Sequence, residues 1–251
     1  MKKKDLLLNA SVFNVKALLT VSSDAKTTKG ETKGFLTGIM YLNPDDKLCP
    51  ASKAAGCRDA CLVSAGRAAI FQAIPKARQA KTDFFHADKS GFMALLCYEI
   101  KALVKKAEKN SMIPAIRLNG TSDIDWSTTK HDGKTVFELF PTVQFYDYTK
   151  RKDIIRKSAK IKNWHITASY SGHSFKYASA ISAQAKKYGV NLAVVFDQLP
   201  EYWKNQKVLN GDDSDLRFLD SAGIVGLRAK GAAKKDNSGF VVRTQNAIAI
   251  N

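Results

Sequence analysis

Short runs of apolar and β-branched residues recur along the chain, each followed by a polar loop and then by a stretch with helical spacing. The runs are Phe35–Leu42, Pro114–Leu118, Thr142–Tyr148, Trp164–Tyr170, Asn191–Asp197, Gly223–Leu227 and Phe240–Arg243. Helical patterns occupy Leu62–Ala80, Gly91–Lys109, Arg151–Lys160, Phe175–Tyr188 and, more briefly, Asp215–Asp220. This alternation predicts parallel strands joined by crossover helices. No repeat, low-complexity tract or Pro/Ser-rich linker divides the chain, so six or seven such units predict one α/β domain over residues 1–251. The expected architecture is TIM-barrel-like, a closed or partly open β/α barrel, with residues 1–34 as an N-terminal extension packed on or entering it. A doubly wound sheet is the alternative, but its glycine-rich phosphate turn is missing after the first strand, where cysteines stand instead.

In folds of this type chemistry gathers at the C-terminal ends of the strands. Those ends hold Asn119-Gly120-Thr121-Ser122-Asp123, then Asp147 and Tyr148, then Ser169, Ser171 and His173, then Asp197, and finally Arg228 and Lys230. Such ends are also where loops turn, and each residue alone reads first as a cap or turn former. Together they predict a polar pocket. Its candidate catalytic residues are Asp123, Asp147, His173 and Lys230, and its candidate cofactor-binding residues are Asn119, Gly120, Thr121 and Tyr148.

The loop after the first run carries Cys49, Cys57 and Cys61 in the spacing Cys-x7-Cys-x3-Cys, with Pro50 and Gly56 between them. Three soft sulfur donors on one short loop point to a metal centre, and above all to an iron–sulfur cluster. Arg58 beside them is expected to lower thiol pKa. Zinc would call for a fourth protein ligand at a paired spacing, and none is present. Cys97 lies at helical spacing with Met93, Ile100 and Val104, which reads as core packing, with a fourth-ligand role as the alternative.

Composition changes this picture little. The 251 residues include 40 Lys and Arg against 23 Asp and Glu, a net charge of +17. The basic residues are spread evenly along the chain, so the excess belongs to the whole domain and not to a tail. It favours anionic partners, with nucleic acid among them through the basic stretch Lys150–Lys162. Four cysteines are too few for a disulfide scaffold, and no apolar run approaches a membrane span. An intracellular protein with no membrane partner is expected. Asp212, Asp213, Asp215 and Asp220 form the one acidic concentration, and Asn210-Gly211-Asp212-Asp213 reads as a turn ahead of a divalent-metal site. Ser169 or Ser171 with His173 would make a hydrolase only if Asp147 or Asp197 approached in space.

The order of a strand, a three-cysteine loop and a β/α barrel resembles radical S-adenosylmethionine enzymes, although their usual spacing is Cys-x3-Cys-x2-Cys. That resemblance implies a four-iron cluster and S-adenosylmethionine as cofactors, with Asn119-Gly120-Thr121 at the position of a glycine-rich cofactor segment. A second set of stretches is similar to the uncharacterised phage gene product eighty-eight family. They are Cys57–Arg67, Arg117–Ile124, Val143–Lys150, Gly211–Asp220 and Gly226–Gly231. This resemblance implies a phage-encoded protein located in the host cytoplasm, and one site made from the cysteine loop and the strand ends. The reading is therefore an iron–sulfur protein, expected to be an enzyme acting on a small or anionic substrate. Radical chemistry, Lewis-acid hydrolysis or hydration, and nucleic-acid binding around a structural cluster remain open, as does the oligomeric state.

Overall fold

The computed structural model describes residues 3–61 and 66–244. The helices are α1 (Lys3–Val12), α2 (Ala25–Glu31), α3 (Arg67–Ile70), α4 (Ala73–Ala87), α5 (Lys89–Lys109), α6 (Val136–Leu139), α7 (Lys152–Ser158) and α8 (Phe175–Tyr188). The strands of the main sheet are β1 (Leu19–Val21), β2 (Phe35–Met40), β3 (Ile113–Arg117), β6 (Gln144–Thr149), β7 (Trp164–Ser169), β8 (Leu192–Phe196), β9 (Tyr202–Trp203), β10 (Gln206–Asn210) and β11 (Ile224–Arg228). A separate small hairpin is formed by β4 (Lys130–His131) and β5 (Lys134–Thr135).

The sheet order is β1-β2-β3-β6-β7-β8-β11-β10-β9. From β2 to β10 every neighbouring pair is parallel, while β1 and β9 add to the two edges antiparallel. Successive strands β2, β3, β6, β7 and β8 are laid down in one direction, and right-handed crossovers then place their helices on one face. That face buries Leu36, Met40, Ile116, Phe145, Ile166 and Val194 against Phe92, Leu96, Ile100 and Leu103 of α5, Ile154 and Ile155 of α7, and Ile181 of α8.

Each helix has local reasons to form where it does. Ser174 caps α8 by accepting the Tyr177 N–H, Ala178, Ile181 and Ala185 bury one stripe, and Gly189 ends the helix in the left-handed conformation. Asp88 caps α5 in the same way through the Gly91 N–H.

The other face of the sheet is covered by α2 and by the segment 211–220 that links β10 to β11. Phe218 meets the rings of Phe35 and Tyr146 edge-on, and Leu216 packs with Ala115 and Tyr146. Here Arg117 of β3 donates two 3.0 Å hydrogen bonds from one nitrogen to the Asp215 carboxylate, with the Tyr148 ring 4.6 Å from the guanidinium carbon. Lys26 of α2 adds a second cation 3.5 Å from Asp215. Burial opposes the charge on Asp215, but Arg117 and Lys26 outweigh it and hold the carboxyl below its ordinary range.

Two expectations from the sequence are revised. The sheet is mixed and mostly parallel, and among the described residues no pairing between β1 and β9 closes it into a barrel. The antiparallel edges and the 211–220 segment finish the sheet where a barrel would use further parallel strands. The run Phe240–Arg243 is not a strand of the sheet: it touches β8 through a single bridge, Phe196 to Val242. The helix expected over Leu62–Ala80 is divided into α3 and α4, and positions 62–65 lie outside the described residues. Of the N-terminal 34 residues, α1 packs on α5, β1 pairs with β2, and α2 lies against β2.

Candidate functional site at the strand C-termini

The cysteine loop leaves β2 and crosses the C-terminal mouth of the sheet to reach β7, β11 and the C-terminal segment. Its near end is pinned where the Asp123 N–H donates to the Leu48 carbonyl. Its far end lies on His173: a Cβ at Gly56 would fall 2.4 Å from the His173 ring, and Gly56 has φ +60°, so only glycine fits. The His173 Nδ1 pairs with the Ser238 carbonyl at 2.8 Å, and the Ser238 hydroxyl donates to the Gly56 carbonyl. Cys57 packs against the small cluster of Ala60, Ala229, Ala233, Phe240 and Val241.

Cys49, Cys57 and Cys61 are in no disulfide and are half-buried. Burial pushes the Cys49 thiol up to about 12, helped by the charge of Asp123 and by the nearby Cys61 and Cys57, while Lys150 opposes the shift. Cys61 and Cys57 are therefore both within electrostatic reach of Cys49. Even so, among the described residues no three His, Cys, Asp or Glu side chains converge tightly enough to hold a metal ion. Arg58 does not serve the thiols as expected, because its guanidinium is taken by Asp46 at 2.6 Å. The arginine within electrostatic reach of Cys61 is Arg78, which lies over the Tyr41 ring. Cys97 is buried in the helical core, with its thiol pushed up to about 11 by burial.

Asn119, Gly120 and Thr121, expected to bind a cofactor, are used to build the mouth. The Asn119 side chain accepts from the Ser122 hydroxyl, the Ile124 N–H and the Trp126 indole, and donates to the Ile124 carbonyl. At Gly120 a Cβ would lie 2.5 Å from the Met40 carbonyl, so glycine lets β3 end directly against β2. The Thr121 hydroxyl donates to the Leu42 carbonyl. Tyr148 stacks under Arg117 on the face away from the helices.

The four expected catalytic residues are not gathered at one point. Asp123 is buried beside the thiols, and its carboxylate accepts from the Thr149 hydroxyl (2.6 Å) and the Lys150 N–H (2.9 Å). Burial raises its pKa above the ordinary value despite those bonds. Asp147 points into the helical core, where it accepts from the Asn119 N–H and the Trp164 indole. Lys230 is exposed and pairs with Asp212 at 2.6 Å. His173 lies at the mouth but bonds to a backbone carbonyl, and neither Asp147 nor Asp197 approaches it, so the serine hydrolase arrangement is not assembled. The acidic run is likewise distributed: Asn210, Asp212 and Asp213 make the expected turn, Asp215 pairs with Arg117, and Asp220 with Arg217. Part of the basic stretch is neutralised too, with Arg151 on Asp153 and Lys157 on Asp125.

Burial pushes the Asp147 carboxyl up to about 7, against the bonds from Asn119 and Trp164. The unfolded carboxyl titrates near 3.9, so the folded state holds the proton more tightly. The stabilisation is complete below pH ~4 and is lost as the pH rises to about 7. Urea unfolding from pH 5 to 8 at fixed ionic strength should show that decline, and Asp147→Asn should flatten it. A slope that persists in the variant would assign the titration to another group.

The model of the family described as Gene product 88 matches residues 17–244, which takes in the cysteine loop and every strand of the sheet. The chain belongs to the Gene product 88 family. No curated protein and no solved structure matches it. Of the two resemblances read from the sequence, the comparison supports the Gene product 88 one and not the radical S-adenosylmethionine one. In this Gene product 88 chain no helix among the described residues is long and apolar enough to cross a membrane.

Proposed function

We propose that this Gene product 88 protein is a phage-encoded iron–sulfur protein with Cys49, Cys57 and Cys61 as its cluster ligands, and that it acts as an enzyme at the C-terminal mouth of its sheet. The observation that carries the reading is the placement of three half-buried thiols on one loop at the mouth, with Cys61 and Cys57 both acting on the Cys49 thiol. The donor set fits a cluster better than a single ion. A tetrahedral zinc ion, with Zn–S bonds of about 2.3 Å, needs its sulfurs almost in contact. A cluster spaces its cysteines farther apart, so this reading does not require the three sulfurs to meet at one point.

A bound cluster would supply an electron, or a Lewis-acidic iron where no cysteine is attached. The chain's own contribution is positional. Gly56 and Ser238 fix the far end of the loop, Asp123 and Leu48 fix the near end, and Cys57 packs against an apolar cluster that includes Phe240 and Val241. Lys150 and Arg78 bring positive charge that favours thiolates.

Anaerobic purification followed by iron and sulfide analysis tests the proposal. Iron and acid-labile sulfide should be present together, should fall severely in Cys49→Ala, Cys57→Ala and Cys61→Ala, and should be retained in Cys97→Ala. A colourless protein with stoichiometric zinc would overturn it. A paramagnetic resonance spectrum that changes on adding S-adenosylmethionine would favour radical chemistry over Lewis-acid chemistry.

A further inference from the structure

From the hydrogen-bond donors at the mouth we infer that Lys150 and Ser169 form an anion subsite, which takes the carboxylate or phosphate group of a small ligand. Strand side chains alternate, and β6 and β7 are paired with Tyr146 opposite His165 and Tyr148 opposite Thr167. Lys150 and Ser169 continue that series by one step, on the face away from the helices, at the open end of the sheet. The Lys150 ammonium donates to the Ser169 hydroxyl oxygen at 3.0 Å.

Counting donors and acceptors at this point leaves a surplus of donors. An ammonium has three N–H groups and no acceptor. One goes to Ser169, the Phe240 ring lies 5.5 Å from the nitrogen, and among the described residues no carboxylate is within ion-pair distance. Asp123 and Lys150 feel each other's charge, but the Asp123 carboxylate bonds to the Thr149 hydroxyl and to the backbone N–H of Lys150 and makes no ion pair with its ammonium. Ser169 accepts from Lys150, so its own O–H still needs an acceptor, and none is offered among the described residues. One layer deeper on the same strand face, roughly 7 Å along β7, the Thr167 hydroxyl is fully buried and has no hydrogen-bond partner among the described residues.

A half-buried cation with spare donors, a serine hydroxyl and an orphaned threonine hydroxyl therefore share one face of two adjacent strands. Unmet donors of this kind are costly when buried, and an anion satisfies them with charge-assisted bonds. The backbone around them is held still: Asp123 fixes the N–H of Lys150, and the Tyr177 hydroxyl donates to the Ser169 carbonyl at 2.8 Å. The subsite adjoins the thiols, since the charge of Lys150 acts on Cys49. It shares the mouth with the proposed cluster but rests on the donors alone.

The test is titration of the isotope-labelled protein with inorganic phosphate and, separately, with succinate at constant ionic strength, followed by amide shifts. Saturable shifts concentrated at residues 149–151 and 167–171 are expected. Lys150→Gln should weaken binding at least tenfold and Ser169→Ala severalfold, while Lys150→Arg keeps most of it and the exposed control Lys162→Gln changes nothing. Either anion preference supports the subsite and names the group it takes. Shifts scattered over the basic surface, lack of saturation by both anions, or wild-type affinity in Lys150→Gln would overturn it. Cys49→Ala separates the two proposals: it should lose iron yet still bind phosphate, whereas Ser169→Ala should weaken phosphate binding yet still carry iron.

Discussion

Replacing Asp215 with Ala is expected to cost about 3–5 kcal/mol of stability, the usual penalty for removing one partner of a buried ion pair. Asp215 is the acceptor for both 3.0 Å bonds from Arg117, and it also faces Lys26. Without it, a guanidinium that is 6% exposed is left against the Tyr148 ring, and its Nε already has no partner among the described residues. Against a typical total of about 5–15 kcal/mol, such a loss removes from about a fifth of the stability to nearly all of it. Urea unfolding measures it, with the midpoint falling sharply and the slope unchanged. The double variant Arg117→Met with Asp215→Leu should recover most of the loss, because apolar packing replaces the buried pair and the remaining cation, Lys26, is 38% exposed and reaches water. A single variant as stable as wild type would mean that water reaches the pair.

Asn119→Ala should be nearly as damaging, at about 3–5 kcal/mol, although Asn119 carries no charge. Its amide alone serves the Ile124 N–H and carbonyl, the Ser122 hydroxyl and the Trp126 indole. Alanine leaves those groups buried without partners, at roughly 1–3 kcal/mol each where water cannot reach them. The indole N–H resonance of Trp126 should shift and lose its protection from exchange, and the urea midpoint should fall with it. Asn119→Asp keeps the acceptor but loses the donor and places a second carboxyl near Asp147, so its deficit should be larger at pH 8 than at pH 5. An unchanged Trp126 resonance in Asn119→Ala would show that the amide does not organise this loop.

Where a single element carries its own instructions, the sequence is a sufficient guide. The run Phe175–Tyr188 has its cap, its apolar stripe and its terminating glycine within sixteen residues, and α8 occupies the expected span. The strands that pack helices on one face and α2 or the 211–220 segment on the other are buried on both sides, and five of the predicted runs lie on β2, β3, β6, β7 and β8 within two residues or so at each end. By contrast, β10 reads Gln-Lys-Val-Leu-Asn and takes its strand character from pairing with β11 and β9. The helix α2, Ala-Lys-Thr-Thr-Lys-Gly-Glu, has no apolar stripe because it buries only Thr27 and Gly30.

The candidate site divides in the same way. The cysteine loop could be placed at a strand end from local pattern alone. The partners of Arg117 could not, because Asp215 is 98 positions away. Lys150 sat inside a basic run that concealed it among surface charges. Asp147 and Lys230 looked available because strand position says where a residue lies along the sheet, whereas its pairing with Trp164 or Asp212 is settled only in three dimensions.

The bond from Ser238 to the Gly56 carbonyl spans 182 positions. During synthesis from the N-terminus, Cys49, Cys57 and Cys61 leave the ribosome long before the 236–241 segment that walls them in. The loop thus waits for its far wall until the 236–241 segment has been made, and the two sides of the mouth meet only after the intervening strands are available to hold them apart.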